Sequence, residues 1–233
     1  MLGFLKLVGV PGSIEFFCLL AGIGLLVRWW QPAAGWIVWR ALLALAVGYL
    51  ILSLPLVAAA IADRLPPVPR ALPPESPGTV DELVILDGDN RRGRVRAGIT
   101  VNAVAAPREI WVLGNGWLIE ELSKGGVPRN RIFHDAFLTT TREQLTSLRA
   151  LVARRPGRRF AVIVSRLQAS RMAGLLAAAS LTDVALIPSP VDDEPATSGL
   201  RTVVPTYLAL RLSRDAIYEH AAIRFYRWKG WIP

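Results

Sequence analysis

With one cysteine, Cys18, and two histidines, His134 and His220, in 233 residues, the chain cannot form an internal disulfide and has almost none of the soft ligands of a zinc site. No internal repeat or low-complexity run is present, and the Gly-x-Gly-x-x-Gly fingerprint of dinucleotide-binding folds is missing, which argues against a methyltransferase-type nucleotide loop. The arginines are scattered and no recognition motif accompanies them, so nucleic acid is not an expected partner. The most informative absence is local. From Ala41 to Ala62 there are 22 residues without a charge.

A helix of that length, at a rise of ~1.5 Å per residue, spans a hydrocarbon core of ~30 Å. A second apolar segment, Leu7 to Val27, precedes it and contains Pro11 and Glu15; an acid so near a helix end can reach the interface. Between the two lie Trp29, Trp30, Trp36 and Trp39, four of the eight tryptophans, flanked by Arg28 and Arg40. Indoles collect where headgroups meet acyl chains, so the pattern predicts a transmembrane hairpin over residues 1–64. The alternative is a buried soluble hairpin, which needs a partner large enough to cover it. A cleaved signal peptide fits poorly, because no small-residue cleavage site follows the first segment. Lys6, Arg28, Arg40, Arg64 and Arg70 are nearly balanced across the hairpin, so charge does not set the orientation.

Residues 1–66 hold four basic and two acidic side chains, so most of the net charge of +9 belongs to the remainder. Arginine dominates it. That excess fits either an anionic ligand or bilayer surface, or the composition of a GC-rich genome.

Six prolines between Pro66 and Pro77 end the second apolar segment and predict an extended spacer over 65–79. Beyond it, strand-like runs at Leu83–Leu86, Ile110–Leu113, Phe160–Val164 and Val184–Ile187 alternate with helical stretches at Val95–Val104, Leu118–Lys124, Thr141–Ala153 and Ser170–Ala178. Such alternation predicts right-handed crossovers in a Rossmann-like three-layer α/β domain over 80–233, with a mostly parallel sheet. Tyr207–Trp228 predicts a long amphipathic C-terminal helix, whose end, Arg227-Trp228-Lys229-Gly230-Trp231, either packs on the domain or dips toward a membrane surface.

Ligands of open α/β sheets bind beyond the carboxyl ends of the strands, so the loops there hold the candidate residues. The first loop contributes Asp87, Gly88, Asp89 and Asn90, with Arg94 following; the second contributes Gly114, Asn115 and Gly116. Glycines let backbone amides approach an anion at a helix start, although an ordinary turn also uses them. Thr139, Thr140 and Thr141 with Glu143 form either a helix cap or a grip on a phosphate or hydroxyl group. Ser165, Gln168 and Arg171 follow the Phe160 strand and are the most suggestive cluster.

In their order and spacing these elements resemble the bacterial membrane-anchored domain typified by YdcF, SanA and ElyC, over nearly the whole chain. The matching elements are the Pro11-Gly12-Ser13 turn, the strand and loop Val84-Ile85-Leu86-Asp87-Gly88 with Arg94, Leu113-Gly114-Asn115-Gly116, and Gly126-Val127-Pro128. Thr140-Thr141-Arg142-Glu143-Gln144 corresponds to an Asn-Thr-x-Glu-Asn motif, and Val164-Ser165 through Gln168 to Arg171 corresponds to Thr-Ser-x-x-His-x-x-Arg. Glu219, Tyr226, Gly230 and Trp231 match the closing pattern. This chain departs from the family at Gln168 for histidine, Val164 for threonine, Thr140 and Gln144 for asparagines, and Asp87 and Asp89 for glycines. An amide cannot shuttle protons, so any acid–base role of the family histidine would pass to Glu143 or Asp87. The two added carboxylates would repel a phosphate unless Arg94, Arg171 or a divalent metal offsets them.

The resemblance implies a multi-pass protein of the bacterial inner membrane whose domain is periplasmic and acts in cell-envelope biogenesis. Its ligand would be an anionic small molecule or a polyprenyl-phosphate-linked or peptidoglycan metabolite, with Arg94 and Arg171 on the charge and Ser165, Thr141 and Asn115 on polar groups. Arg171→Ala is then expected to abolish binding and leave the fold intact. Two other readings remain open: a non-catalytic anchor for wall-synthesis enzymes, and a cytoplasm-facing binder of a nucleotide or S-adenosylmethionine-type ligand.

Overall fold

A computed structural model describes residues 22, 26, 29, 35–69, 71–136, 138, 140–190 and 199–233. The expected first span, Leu7 to Val27, lies outside them apart from Gly22 and Leu26, as does Thr139. Seven α-helices and five strands are found among the described residues. The chain divides into two compact units, with boundaries at Arg64/Leu65, Asp192/Asp193 and Tyr218/Glu219.

The first unit contains helix α1 (Gly35–Leu52) and helix α2 (Pro55–Ala62). The uncharged stretch Ala41–Ala62 is therefore not one continuous helix. Proline has no N–H to donate and its ring crowds the carbonyl four residues earlier, so Pro55 ends α1 and starts α2 at its first turn. No single helix among the described residues is long and apolar enough to cross a membrane. The pair Trp36–Leu52 and Pro55–Ala62, bent by 75°, passes that test jointly. A 3-10 turn, Gly199–Val203, and the first half of helix α7 (Tyr207–Trp228) complete this unit.

The second unit is α/β. Strands β1 (Glu82–Leu86), β2 (Glu109–Leu113), β3 (Ile132–Asp135), β4 (Phe160–Ser165) and β5 (Ala185–Ser189) form one sheet in the order β3-β2-β1-β4-β5, and every pairing is parallel. Four of these match the runs read from sequence within two residues at each end; β3 was not foreseen. It is a short edge strand whose apolar content is Ile132 and Phe133 alone, and Phe133 stacks on Trp111 at 4.9 Å. Pairing with β2, rather than its own pattern, defines it.

Strands β1 and β4 are buried on both faces, as crossovers in a parallel sheet require, and alternate residues of β1, β2 and β4 feed two cores. Leu83, Ile85, Ile110, Val112 and Ile163 meet helices α3 (Arg91–Ala105) and α4 (Trp117–Lys124) on one face. Val84, Leu86, Val162 and Val164 meet helices α5 (Thr141–Ala153) and α6 (Ala169–Ala178) on the other, together with Ile223 of α7 and Ile232. The end of the C-terminal helix thus packs on the domain. The proline-rich stretch is docked on the same unit: Leu65 and Val68 pack on the second core, Ser170 Oγ donates to the Pro66 carbonyl, and Leu72 N donates to the Leu186 carbonyl at 2.8 Å.

Candidate functional site

The chain runs outward from β1 through β2 to β3 and then crosses back to place β4 on the other side of β1. The carboxyl ends of β1 and β4 therefore flank the point where the connections change direction. In open α/β sheets such a point is where the loops part to leave a crevice. Residues 87–90 and 166–168 are the loops that follow these two strands.

Arg94 joins them. One turn into α3 it is 0% exposed, and its guanidinium is held by oxygen atoms from both sides. Nε donates to the Asp89 carbonyl at 2.9 Å, Nη1 to the Leu86 carbonyl, and Nη2 to Gln168 Oε1 at 2.7 Å. No carboxylate among the described residues comes within ion-pair distance of Arg94. Burial pushes its pKa down to about 10, against the pull of Asp87 and Asp89. The site thus stores a desolvated positive charge, bound to neutral carbonyl and amide oxygens.

Gly88 has φ +150°, and a Cβ built there would stand 2.9 Å from Arg94 Nη2, so only glycine permits this approach. The amides of Gly88 and Asp89 have no acceptor among the described residues. Asn90 adopts the left-handed conformation at φ 59° ahead of α3, and its side-chain amide donates to Ser189 Oγ at 3.2 Å and the Pro190 carbonyl at 2.6 Å. The loop after β1 is thereby tied to the end of β5. Asp87 is engaged by Arg91, at 2.9 and 3.3 Å, which offsets one of the two carboxylates that would oppose an anion.

The remaining candidates have structural partners. Gly114, at φ +127°, sits against the Asp87 side chain where a Cβ would collide, and its carbonyl meets His134 Nε2 at 2.6 Å. Asn115 Oδ1 accepts from Trp117 N at 2.8 Å, and Gly116 is the N-cap of α4. Thr140 and Glu143 close a reciprocal capping box at the start of α5, the structural alternative of the sequence reading. Ser165 is buried and its Oγ accepts from Gln168 N at 3.4 Å.

Arg171 is also committed. It is 4% exposed, and its Nε and Nη2 form a two-pronged pair with the Glu219 carboxylate, both at 2.8 Å. Nη1 reaches Thr141 Oγ1 at 3.1 Å and the Tyr226 hydroxyl at 3.4 Å. Burial acts to lower its pKa, but the hydrogen bonds and charge of Glu219 outweigh burial and raise it. Arg171 and Thr141 therefore fasten α5, α6 and α7 together.

The structure thus gathers Asp87, Gly88, Arg94, Ser165 and Gln168 where the loops after β1 and β4 meet, and engages Thr140, Thr141, Glu143 and Arg171 in helix capping and helix packing. Sequence reasoning missed Asn90 as a tie, Ser189, and above all Gln144. The Gln144 amide, 5% exposed, donates to the carbonyls of Asp87 and Leu113 at 3.2 Å each, closing the ends of β1 and β2. Its place in the Thr-Thr-Arg-Glu-Gln motif was the available signal.

A separate hollow of about 480 Å³ runs along α5, between Trp111, Asp135, Leu138, Ser147 and Leu151. Among the described residues no group of three or more His, Cys, Asp or Glu side chains could hold a metal ion. At the crevice the polar groups can bind and orient a ligand. Gln168, held by Arg94, can exchange hydrogen bonds there but not protons. No protein-family model, curated protein or solved structure matches this chain.

Proposed function

We propose that the chain is a membrane-anchored protein of the YdcF, SanA and ElyC kind, whose periplasmic α/β domain binds an anionic cell-envelope metabolite at the crevice between β1 and β4. A phosphate of a polyprenyl or peptidoglycan precursor is the chemistry that suits it. The observation that carries this reading is the pair of amides at Gly88 and Asp89 without a protein acceptor among the described residues, beside the buried Arg94, which no carboxylate contacts directly, and next to the first turn of a 15-residue helix. Open amides and a helix start favour an anion, and a desolvated cation close by strengthens the attraction. The bent apolar pair α1–α2 supports the anchor.

Thermal unfolding of the detergent-solubilised full chain with inorganic pyrophosphate tests the ligand chemistry. A ligand at a hundred times its Kd stabilises by ~2.7 kcal/mol. The wild type should show the shift, and Gly88→Ala, which pushes a methyl group toward Arg94, should lose it. An equal shift in both proteins would place the anion elsewhere. Fusion of alkaline phosphatase after Pro233 tests the side of the membrane, and an inactive fusion would favour a cytoplasm-facing nucleotide-type ligand.

A second reading, a non-catalytic module that anchors envelope enzymes, is favoured by one observation. Thr140, Glu143 and Arg171, the polar groups best suited to chemistry by their motifs, are occupied in caps and ion pairs.

A further inference from the structure

Gln168 ends the loop after β4 and caps helix α6, and its backbone is fixed there: its N–H donates to Ser165 Oγ at 3.4 Å and its carbonyl accepts from Met172 N at 2.9 Å. Its side chain reaches across to α3, where Oε1 accepts from Arg94 Nη2 at 2.7 Å. A guanidinium carries donors and no acceptor, so the carboxamide has one permitted orientation, with its oxygen toward Arg94 and its nitrogen as the free end. Arg94 itself is held in place. It is buried, and the Asp89 and Leu86 carbonyls take its other two nitrogens.

That lock leaves Gln168 Nε2 spare. It has no acceptor among the described residues, yet it is not sealed from solvent, on a residue that is half-buried. A Cβ built on Gly88 would stand 3.3 Å from Nε2, so by standard backbone dimensions the Gly88 amide nitrogen lies within about 6 Å of it. Two oxygens of one phosphoryl group can bridge that separation. Gly88 N, Asp89 N and Gln168 Nε2 are all neutral donors, so the atoms placed against them must be acceptors.

We propose that Gln168 is the side chain that touches the anion, and that Arg94 acts through it as a positioning residue. The site then takes oxygens that accept hydrogen bonds and carry no proton, as in a phosphodiester or an ionised pyrophosphate. This rests on the anion reading above and adds which side chain makes the contact. It also gives the buried guanidinium a task that needs no contact of its own: it polarises the carboxamide and strengthens the N–H bonds on the far side.

Isothermal titration of inorganic pyrophosphate into the detergent-solubilised full chain reads the contact, and ligand-free melting curves read the fold. Gln168→Met keeps the side-chain length and removes the donor; its Kd should rise roughly ten- to a hundredfold, the loss of one hydrogen bond to a charged acceptor. Gln168→Glu gives Arg94 a carboxylate in place of the amide oxygen, so it should melt no lower than wild type and still lose pyrophosphate. Wild-type affinity in a folded Gln168→Met overturns the assignment even if Gln168→Glu is weakened, because repulsion by an added charge needs no contact. A second readout uses the wild type alone: the Gln168 side-chain amide resonance, identified by its disappearance in Gln168→Glu, should shift as pyrophosphate binds, and an unmoved resonance overturns the assignment whether or not Gln168→Met folds. If the wild type does not bind pyrophosphate, the anion reading falls and the assignment with it. If it binds, and Gly88→Ala abolishes binding while Gln168→Met does not, the anion site stands and only the role of Gln168 falls.

Discussion

Replacing Arg171 by alanine should destabilise the α/β unit rather than merely empty a binding site. The substitution removes both 2.8 Å bonds to Glu219 and the contacts to Thr141 and Tyr226, and it leaves a carboxylate that is 2% exposed without its cation. Breaking a buried pair by deleting one partner costs ~3–5 kcal/mol. Against a typical domain stability of ~5–15 kcal/mol, that is roughly a fifth or more of the total, and a melting shift on the order of 10 °C. The assay is urea titration read by hydrogen exchange of the β1 and β4 amides, which report on this unit alone. Arg171→Met combined with Glu219→Gln, which leaves no buried charge, should recover part of the loss. A loss below ~1 kcal/mol for Arg171→Ala, the scale of an exposed pair, would refute the argument. So would a double variant no more stable than the single one.

The Thr140→Ala variant should lose ~1 kcal/mol, because it removes one half of the capping box on α5; circular dichroism melts would check this. Gly114→Ala should be more damaging than an ordinary surface change, since it combines a left-handed φ with a methyl group on the Asp87 side chain, and loss of soluble expression or of cooperative unfolding would show it. Glu82, buried and beside Glu109, has its pKa raised above 4.5, first by desolvation and then by its neighbour's charge, despite Arg155 and the Trp111 N–H. A carboxyl raised in the folded state contributes stability that is full below 4.5 and is lost as pH rises through the folded value. Glu82→Gln should therefore melt higher than wild type at neutral pH and lose that advantage near pH 4; a lower melting point at neutral pH would mean that the Arg155 pairing dominates.

Local preferences carried much of the fold into view from sequence. Four strands, the helices between them and the capping box at Thr140 follow from periodicity and from residue types that act within a turn or two of themselves. β3 escaped because a four-residue edge strand has too little pattern of its own. The break at Pro55 was written in the sequence, yet an uncharged stretch of the right length hid it.

The site was legible as a set of loops and not as a set of roles. Arg94 and Arg171 carry the same charge and both begin helices after parallel strands, so nothing local separates them. Tertiary structure alone gives Arg94 a ring of neutral oxygens from Leu86, Asp89 and Gln168, and gives Arg171 the carboxylate of Glu219, 48 residues away. Long charged side chains take whichever partner the packed helices bring within reach. Which partner that is depends on helix rotation and strand order, quantities that sequence periodicity does not contain. The amino-acid sequence by itself determined a charge-free apolar stretch followed by alternating strands and helices; only the packed chain decided which arginine seals a helix junction and which one joins the loops after β1 and β4.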